Sequence, residues 1–485
     1  MTQRLSRFTC LISAVLCFYP MAARCDDTGS DLPLLGDRIS SIVSPEKEKI
    51  LGQAWLRALR SRTPLMNDPL VMSYLQNITY RLASNSQLAD KQLSLALINS
   101  PAINAFAVPG GIIGINAGLF LHADTEGELA GVIAHELAHL SQRHFARTIE
   151  EAQKNQWLQG AALLASVLLI AASDSDTGYA ALATTQAAAV QSQLRFSRRN
   201  EREADRLAMS TIEKANLDPR SVGNFFEKLQ KAYQYSTNKP PEYLLTHPVT
   251  ESRVSDAKGR AAQYASRYYP ENTDFYLIKA RLEARYTTDL EGAIKLHAGR
   301  LENNQTIQQL MTHYRLVNLL IMAERYSEAE KQLNALMKKA PRRLLLQLTL
   351  AQIKLAKKDY RSAVNVLKSP QAVQPDNFTL NLVYIRALLG NNDKRTALKL
   401  LEKLKIQHPF SPEVWKLLSQ AYGKTGDTIG VYLAQTEYLF LHGRLDEAIE
   451  QLEFALALID KDFPLVSKIE HRIQAIEKSK NELRL

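Results

Sequence analysis

With 485 residues, 46% of them apolar and 23% charged, the chain is long enough for two or three domains and for a sizeable core, and its composition is that of an ordinary globular protein. Its net charge of +10 is spread as mixed Lys/Arg and Asp/Glu, without basic blocks interleaved with aromatics. That pattern reads as solvated faces and argues against a nucleic-acid surface.

The first 25 residues have the form of a secretory leader. Arg4 and Arg7 precede an apolar run from Phe8 to about Ala23, followed by a small-residue site near Ala23-Arg24-Cys25 and the acidic pair Asp26-Asp27. The expectation is an exported protein with residues 1–25 as a signal peptide. All three cysteines, Cys10, Cys17 and Cys25, fall within it. A mature chain without cysteine must therefore draw its stability from core burial rather than disulfides. Cys25 also opens a lipoprotein alternative, which Arg24 opposes because lipid-attachment sites want a small residue there. The run is shorter than the roughly 20 apolar residues needed by a membrane anchor.

Residues 44 to 85 carry helical periodicity (Leu51, Trp55, Leu59; then Val71, Leu75, Ile78, Leu82), interrupted at Pro64 and Pro69. Leu93–Ile98 and Ala105–Val108 read as strands, and Pro109-Gly110-Gly111 turns the chain into a third at Ile112–Ile115. The pattern predicts a small, largely antiparallel sheet. No GxGxxG spacing and no Lys-Ser/Thr follows those glycines, so they are read as a hairpin turn rather than a phosphate loop.

Thr125-Glu126-Gly127-Glu128 is a capping box, and it opens a helix containing His135-Glu136-Leu137-Ala138-His139. Residues four apart share a helix face, so His135 and His139 can aim two imidazoles at one ion with Glu136 beside them as a base. The competing reading is a surface helix bearing two ordinary histidines. Ile133, Ala134, Leu137, Ala138 and Leu140 make this helix apolar nearly all round, and a buried imidazole pair without a function would be costly. The helix can run on through Arg143, His144 and Arg147, which would turn His144 well off the ligand face, as a surface residue or a support for a ligand.

Gly160 to Ala172 is the most apolar run after the leader, but its thirteen residues reach only about 20 Å as a helix, short of a roughly 30 Å hydrocarbon core. It is expected to be a buried helix or hairpin over the core, or a cover or partner contact. Further on, Glu201 and Asp205 are again four apart on a charged helix. Glu201 can serve as a third metal ligand, and Asp205 can accept the second ring N–H of a ligating histidine. Glu203 projects away from both and is the weaker candidate. His247, between Thr246 and Pro248, sits in a loop, where a plain surface role is usual.

Together Asn104-Ala105-Phe106-Ala107, the HExxH residues and Glu201-Arg202-Glu203-Ala204-Asp205 resemble the zinc metallopeptidase family of HtpX and the CAAX prenyl proteases, whose exported branch ends this domain with a Thr-His-Pro segment like Thr246–Pro248. The resemblance covers about residues 45 to 260. It implies one Zn²⁺ per subunit held by His135, His139 and Glu201, Glu136 as general base, Asp205 as the catalytic-site carboxylate, and residues 104–108 as an edge strand for an extended substrate. His247 could approach the metal or the developing oxyanion; in the open coordination position it would displace the water and hold the enzyme latent.

Beyond about residue 270 a period of 34 emerges: Tyr326, Ala329, Leu333 and Pro341 recur as Tyr360, Ala363, Leu367 and Pro375, then as Lys394, Ala397, Leu401 and Pro409. That is the period and phase of tetratricopeptide repeats, in which small Ala lets two helices approach and Pro ends the second. A further unit around Gly443, Leu445, Ala448 and Leu452 lies half a repeat out of register. Stacked helix pairs form concave surfaces that bind protein segments.

The expected architecture is therefore α+β and mostly helical: a signal peptide at 1–25, a zincin-like metallopeptidase domain with a small antiparallel sheet at 26–265, and an all-α repeat solenoid at 270–485. Over the whole chain this combination resembles the periplasmic members of the family that act in outer-membrane protein quality control. The implied substrates are misassembled outer-membrane proteins, and the implied partners are the barrel-assembly machinery and the lipopolysaccharide-export barrel. A second reading is a chaperone or assembly scaffold whose zinc site is normally closed.

Overall fold

The computed structural model describes residues 43–148, 198–234, 241–301, 306–340, 342–459 and 463–482. The expected leader and the apolar run Gly160–Ala172 lie outside these residues.

The prolines punctuate the first helices as their chemistry demands. Helix α1 (Pro45–Arg62) and helix α2 (Pro69–Ser84) both carry Pro at the first turn, where its missing N–H costs nothing, and both are capped by a side chain, Ser44 and Asp68. Strands β1 (Ser94–Ile98), β2 (Ala105–Val108) and β3 (Ile112–Asn116) follow. Gly110 and Gly111, at φ 82° and 78°, turn β2 into β3 in a conformation that side chains resist.

The sheet departs from the antiparallel expectation. Its order is β1-β3-β2, with β2 antiparallel to β3 but β1 parallel to it. Alternation of residues reports which face is buried, not which neighbour a strand takes, so the crossover between β1 and β2 was invisible in the pattern. The consequence is functional: β2 is an edge strand, paired through one side only among the described residues, whereas the outer side of β1 is bridged by Leu65.

A short helix α3 (Ala117–His122) leads to α4 (Glu126–Ser141), whose residues are buried from Glu126 through His139. Thr125 accepts from the Glu128 amide, and the Glu128 carboxylate reaches back to the amide of Asp124, so two of the amides at the start of the helix are satisfied locally. The helix stops at Ser141, earlier than expected. Arg143 adopts φ 50° and breaks it, and a separate helical stretch covers residues 144–148. Helices α5 (Arg198–Lys214), α6 (Arg220–Gln234), α7 (Glu242–Thr246) and α8 (Glu251–Ala261) complete this part, and α5 and α6 pack directly on α4.

The rest of the described chain is helical: α9 (Thr273–Arg285), α10 (Leu290–Gly299), α11 (Ile307–Met322), α12 (Tyr326–Lys339), α13 (Leu344–Ala356), α14 (Tyr360–Val373), α15 (Phe378–Gly390), α16 (Lys394–Gln407), α17 (Pro412–Thr425), α18 (Thr428–Leu441), α19 (Leu445–Ala457) and α20 (Phe463–Glu482). The repeating Ala329, Ala363 and Ala397 and Leu333, Leu367 and Leu401 are all fully buried, on α12, α14 and α16. The half-repeat slip resolves into a change of helix. Gly426 and Gly443, both of positive φ and 17 residues apart, end the successive helices α17 and α18, and the small-then-large pair Ala448 and Leu452 is buried on α19 directly after the second of these turns. No described helix is long and apolar enough to cross a membrane.

Candidate metal centre

Four donors converge in the interior. One side-chain atom each of His135, His139, Glu201 and His247 lies within 4.8 Å of the others, and all four residues are buried. The helix periodicity does the first half of the work: on α4, the Nε2 atoms of His135 and His139 stand 2.9 Å apart. Helix α5, packed along α4, brings Glu201 Oε2 to 3.4 Å from His135 Nε2 and Oε1 to 3.5 Å from His139 Nε2. A tetrahedral ion with bonds of roughly 2.0–2.1 Å sets its ligands about 3.3–3.4 Å apart, so the donor spacing and the nitrogen–oxygen chemistry both fit such an ion.

Asp205 lies where a support for His135 should. Its Oδ1 is 2.9 Å from His135 Nδ1, which directs that proton outward and leaves Nε2 facing the cluster. Burial works against a charge on His135, but the Asp205 and Glu201 carboxylates outweigh it and hold the imidazole up to about 9. Glu201 shows the reverse balance. Burial would raise its carboxyl, yet His247 and His135 keep it well below the usual range. His139 is held well below the ordinary imidazole range by burial and by the positive character of its neighbours.

Glu136 is 1% exposed, and burial pushes its carboxyl up. Its Oε1 has no hydrogen-bond partner among the described residues and stands 3.5 Å from His247 Nε2. A carboxylate oxygen so placed, beside a donor cluster, has the position and the raised proton affinity of a general base. His247 is not a surface loop residue. It caps α7, its ring stacks at 4.9 Å from that of Tyr243, and its Nδ1 lies 3.1 Å from Glu201 Oε1 and 3.4 Å from His135 Nε2. His247 therefore stands between the metal ligands and Glu136.

The edge strand passes over the same site. Asn104 is buried, and its amide donates to Glu242 at the start of α7; the Tyr243 amide donates to Ile103. Ala105, Phe106 and Ala107 pair with Ile115, Gly114 and Ile113 of β3. Phe106 lies across Gly114, where an added Cβ would come within 2.0 Å of its ring, and it meets Trp55 edge-on. Its side chain is thus committed to packing, and what the strand offers a ligand is backbone.

Arg253, which has no role in the sequence reading, and His144, expected as a surface residue or a support for a ligand, both belong to this site. Arg253 donates from Nε and Nη2 to the two Asp205 oxygens at 2.8 and 2.7 Å, and its Nη1 is 2.9 Å from Glu201. His144, expected off the ligand face, is fully buried with its Nδ1 2.8 Å from His139 Nδ1. Burial lowers its imidazole to about 4. Neither was visible in spacing: Arg253 acts across two helices, and His144 depends on the break at Arg143.

Two imidazoles and a carboxylate from separate helices, a buried carboxylate base beside them and a strand edge unpaired among the described residues define a metallopeptidase site. The chain matches the model of Peptidase family M48 over residues 69–261 and that of the Tetratricopeptide repeat over residues 354–421. It is 32% identical over 454 residues to the β-barrel assembly-enhancing protease of Yersinia pestis, covering 93% of each chain, and 34% identical over 432 residues to that of Escherichia coli strain K12, covering 88% of each. The chain belongs to this β-barrel assembly-enhancing protease family of M48 metallopeptidases. The mitochondrial metalloendopeptidase OMA1 of Arabidopsis thaliana is more distant, 29% identical over 217 residues, or 45% of this chain and 38% of that protein.

Proposed function

We propose that this chain is a zinc-dependent endopeptidase of a Gram-negative periplasm that degrades misassembled outer-membrane proteins and assists β-barrel assembly. Its peptidase domain would span 26–265, and its repeat domain, 270–485, would recruit clients or the assembly and lipopolysaccharide-export machinery. The observation that carries the peptidase reading is the convergence of His135, His139 and Glu201 beside Glu136. The names of the relatives support the barrel-protein substrate, and the leader-like first 25 residues support the periplasm.

His135, His139 and Glu201 would hold the zinc, which when bound would supply Lewis-acid polarisation of the scissile carbonyl and lower the pKa of water toward neutrality. The chain's own residues do the rest. Asp205, fixed by Arg253, sets the tautomer of His135, and Glu136 takes the proton of the attacking water and delivers it to the departing amine. The outer edge of β2 holds the peptide extended by main-chain hydrogen bonds, a mode tolerant of side chains. The test is hydrolysis of an unfolded outer-membrane barrel protein, with metal content measured in the same sample. Chelator and Glu136→Gln should each abolish cleavage, with zinc retained in the Glu136→Gln protein; cleavage that survives both would sink the assignment.

The placement of His247 favours a latent resting form. With Nδ1 toward the donors and Nε2 toward Glu136, it occupies the space where substrate and water must meet, and α7 bears on the start of the edge strand through Glu242 and Tyr243. In that form binding by the repeat domain would act without cleavage, as a scaffold. His247→Ala should raise the cleavage rate at unchanged zinc content. An equal or lower rate, with a water-bearing site in both proteins, would remove the latency reading.

A further inference from the structure

His139 presents Nε2 to the donor cluster, so as a ligand it carries its proton on Nδ1. That proton points at Nδ1 of His144, 2.8 Å away. His144 must then accept on Nδ1 and hold its own proton on Nε2, which lies 3.4 Å from Glu203 Oε2. Glu203 is in turn held by Arg147, whose Nη1 donates to the same oxygen at 3.1 Å. From the cluster outward, each partner allows only one tautomer of the ring before it.

The backbone is bent to make this contact. Five residues along an uninterrupted helix would carry His144 about 140° away from His139. Instead α4 ends at Ser141, and Arg143 takes a left-handed conformation that side chains resist. The Arg143 side chain, anchored to the Val43 carbonyl at 2.6 Å, helps hold that bend. The outcome is a fully buried imidazole turned back against a second one.

We propose that His144 is a positioning residue for the metal site: it holds His139 in the orientation and tautomer that metal binding requires, and Glu203 and Arg147 hold His144. The two histidines of the HExxH motif are thus supported differently, His135 by a carboxylate directly and His139 through an intervening imidazole. This rests on the reading that His139 is a ligand.

The test is the zinc dissociation constant of the full chain, by competition with a chromogenic chelator, alongside the thermal midpoint of the metal-free protein. His144→Leu removes the acceptor and should weaken zinc binding by about 10–100-fold with little change in the metal-free midpoint. His144→Asn places an acceptor oxygen near the position of Nδ1 and should recover most of the loss. Glu203→Ala, at a partly exposed position, should weaken binding by a smaller factor. Unchanged affinity in both His144→Leu and Glu203→Ala overturns the proposal, as does an Asn variant as weak as the Leu one, which would mean that His144 only fills space. His139→Ala separates the two readings, because unchanged affinity there would remove the ligand assignment itself.

Discussion

Arg253 holds two of the site's carboxylates at once, and its fork geometry is why a lysine could not replace it. Only 6% exposed, it balances Asp205 and Glu201, which raise its own affinity for a proton despite burial. Removing one partner of a buried ion pair leaves uncompensated charge, so Arg253→Ala should lower the unfolding free energy of the metal-free protein by about 3 kcal/mol. Arg253→Lys should restore only part of that, since it keeps the charge and loses the bidentate bond. Urea denaturation decides it: a loss in Arg253→Ala under about 0.5 kcal/mol would mean that the carboxylates are balanced elsewhere.

Among the elements, the repeat turns show a regularity beyond the Ala/Leu signature. Glu324, Lys358, Asn392 and Gly426 are spaced 34 apart, and all four have positive φ, between 58° and 81°. Each ends the first helix of a pair, and the amide of the next residue bonds five residues back, as from Asp359 to Lys354 and from Asp393 to Leu388. Asp359, Asp393 and Asp427 then cap the second helix. Glycine accepts this geometry freely and Asn tolerates it, whereas Glu and Lys do so at a cost. Glu324→Gly and Lys358→Gly should therefore each stabilise the chain by up to about 1 kcal/mol, with Asn392→Gly near neutral and Gly426→Ala destabilising. Equilibrium denaturation midpoints would rank the four, and a destabilising Lys358→Gly would show that the side chain matters more than the backbone there.

At the scale of the whole molecule, the peptidase part and the helical array share one continuous core. Helix α9 packs on α2 and α3, α15 packs on α2, and buried residues from Val71 to Leu418 fall in a single cluster. Asp68 is the hinge of this contact. It caps α2 and also receives Arg281 Nε at 2.7 Å, whose other nitrogens reach Asn318 and Gln352 on two further helices of the array. Asp68→Ala loses both the cap and the ion pair, and should cost about 2–3 kcal/mol. A single unfolding transition should move to lower temperature. Two separated transitions in calorimetry of the wild-type chain would instead mean that the two parts unfold independently, whatever the size of the Asp68 effect.

Local chemistry alone determined a good deal of this protein. Helix period placed His135, Glu136 and His139 on one face, Glu201 and Asp205 repeated the spacing, the prolines bounded α1 and α2, and the 34-residue recurrence laid out the array, because each depends only on residues a few positions apart. The parallel pairing of β1, the break at Arg143 that turns His144 inward, the fork of Arg253 and the insertion of His247 between ligands and base were decided by the tertiary structure. They join residues distant in sequence or hinge on one unusual backbone angle, and no periodicity encodes which surfaces meet when helices and strands close around a common interior.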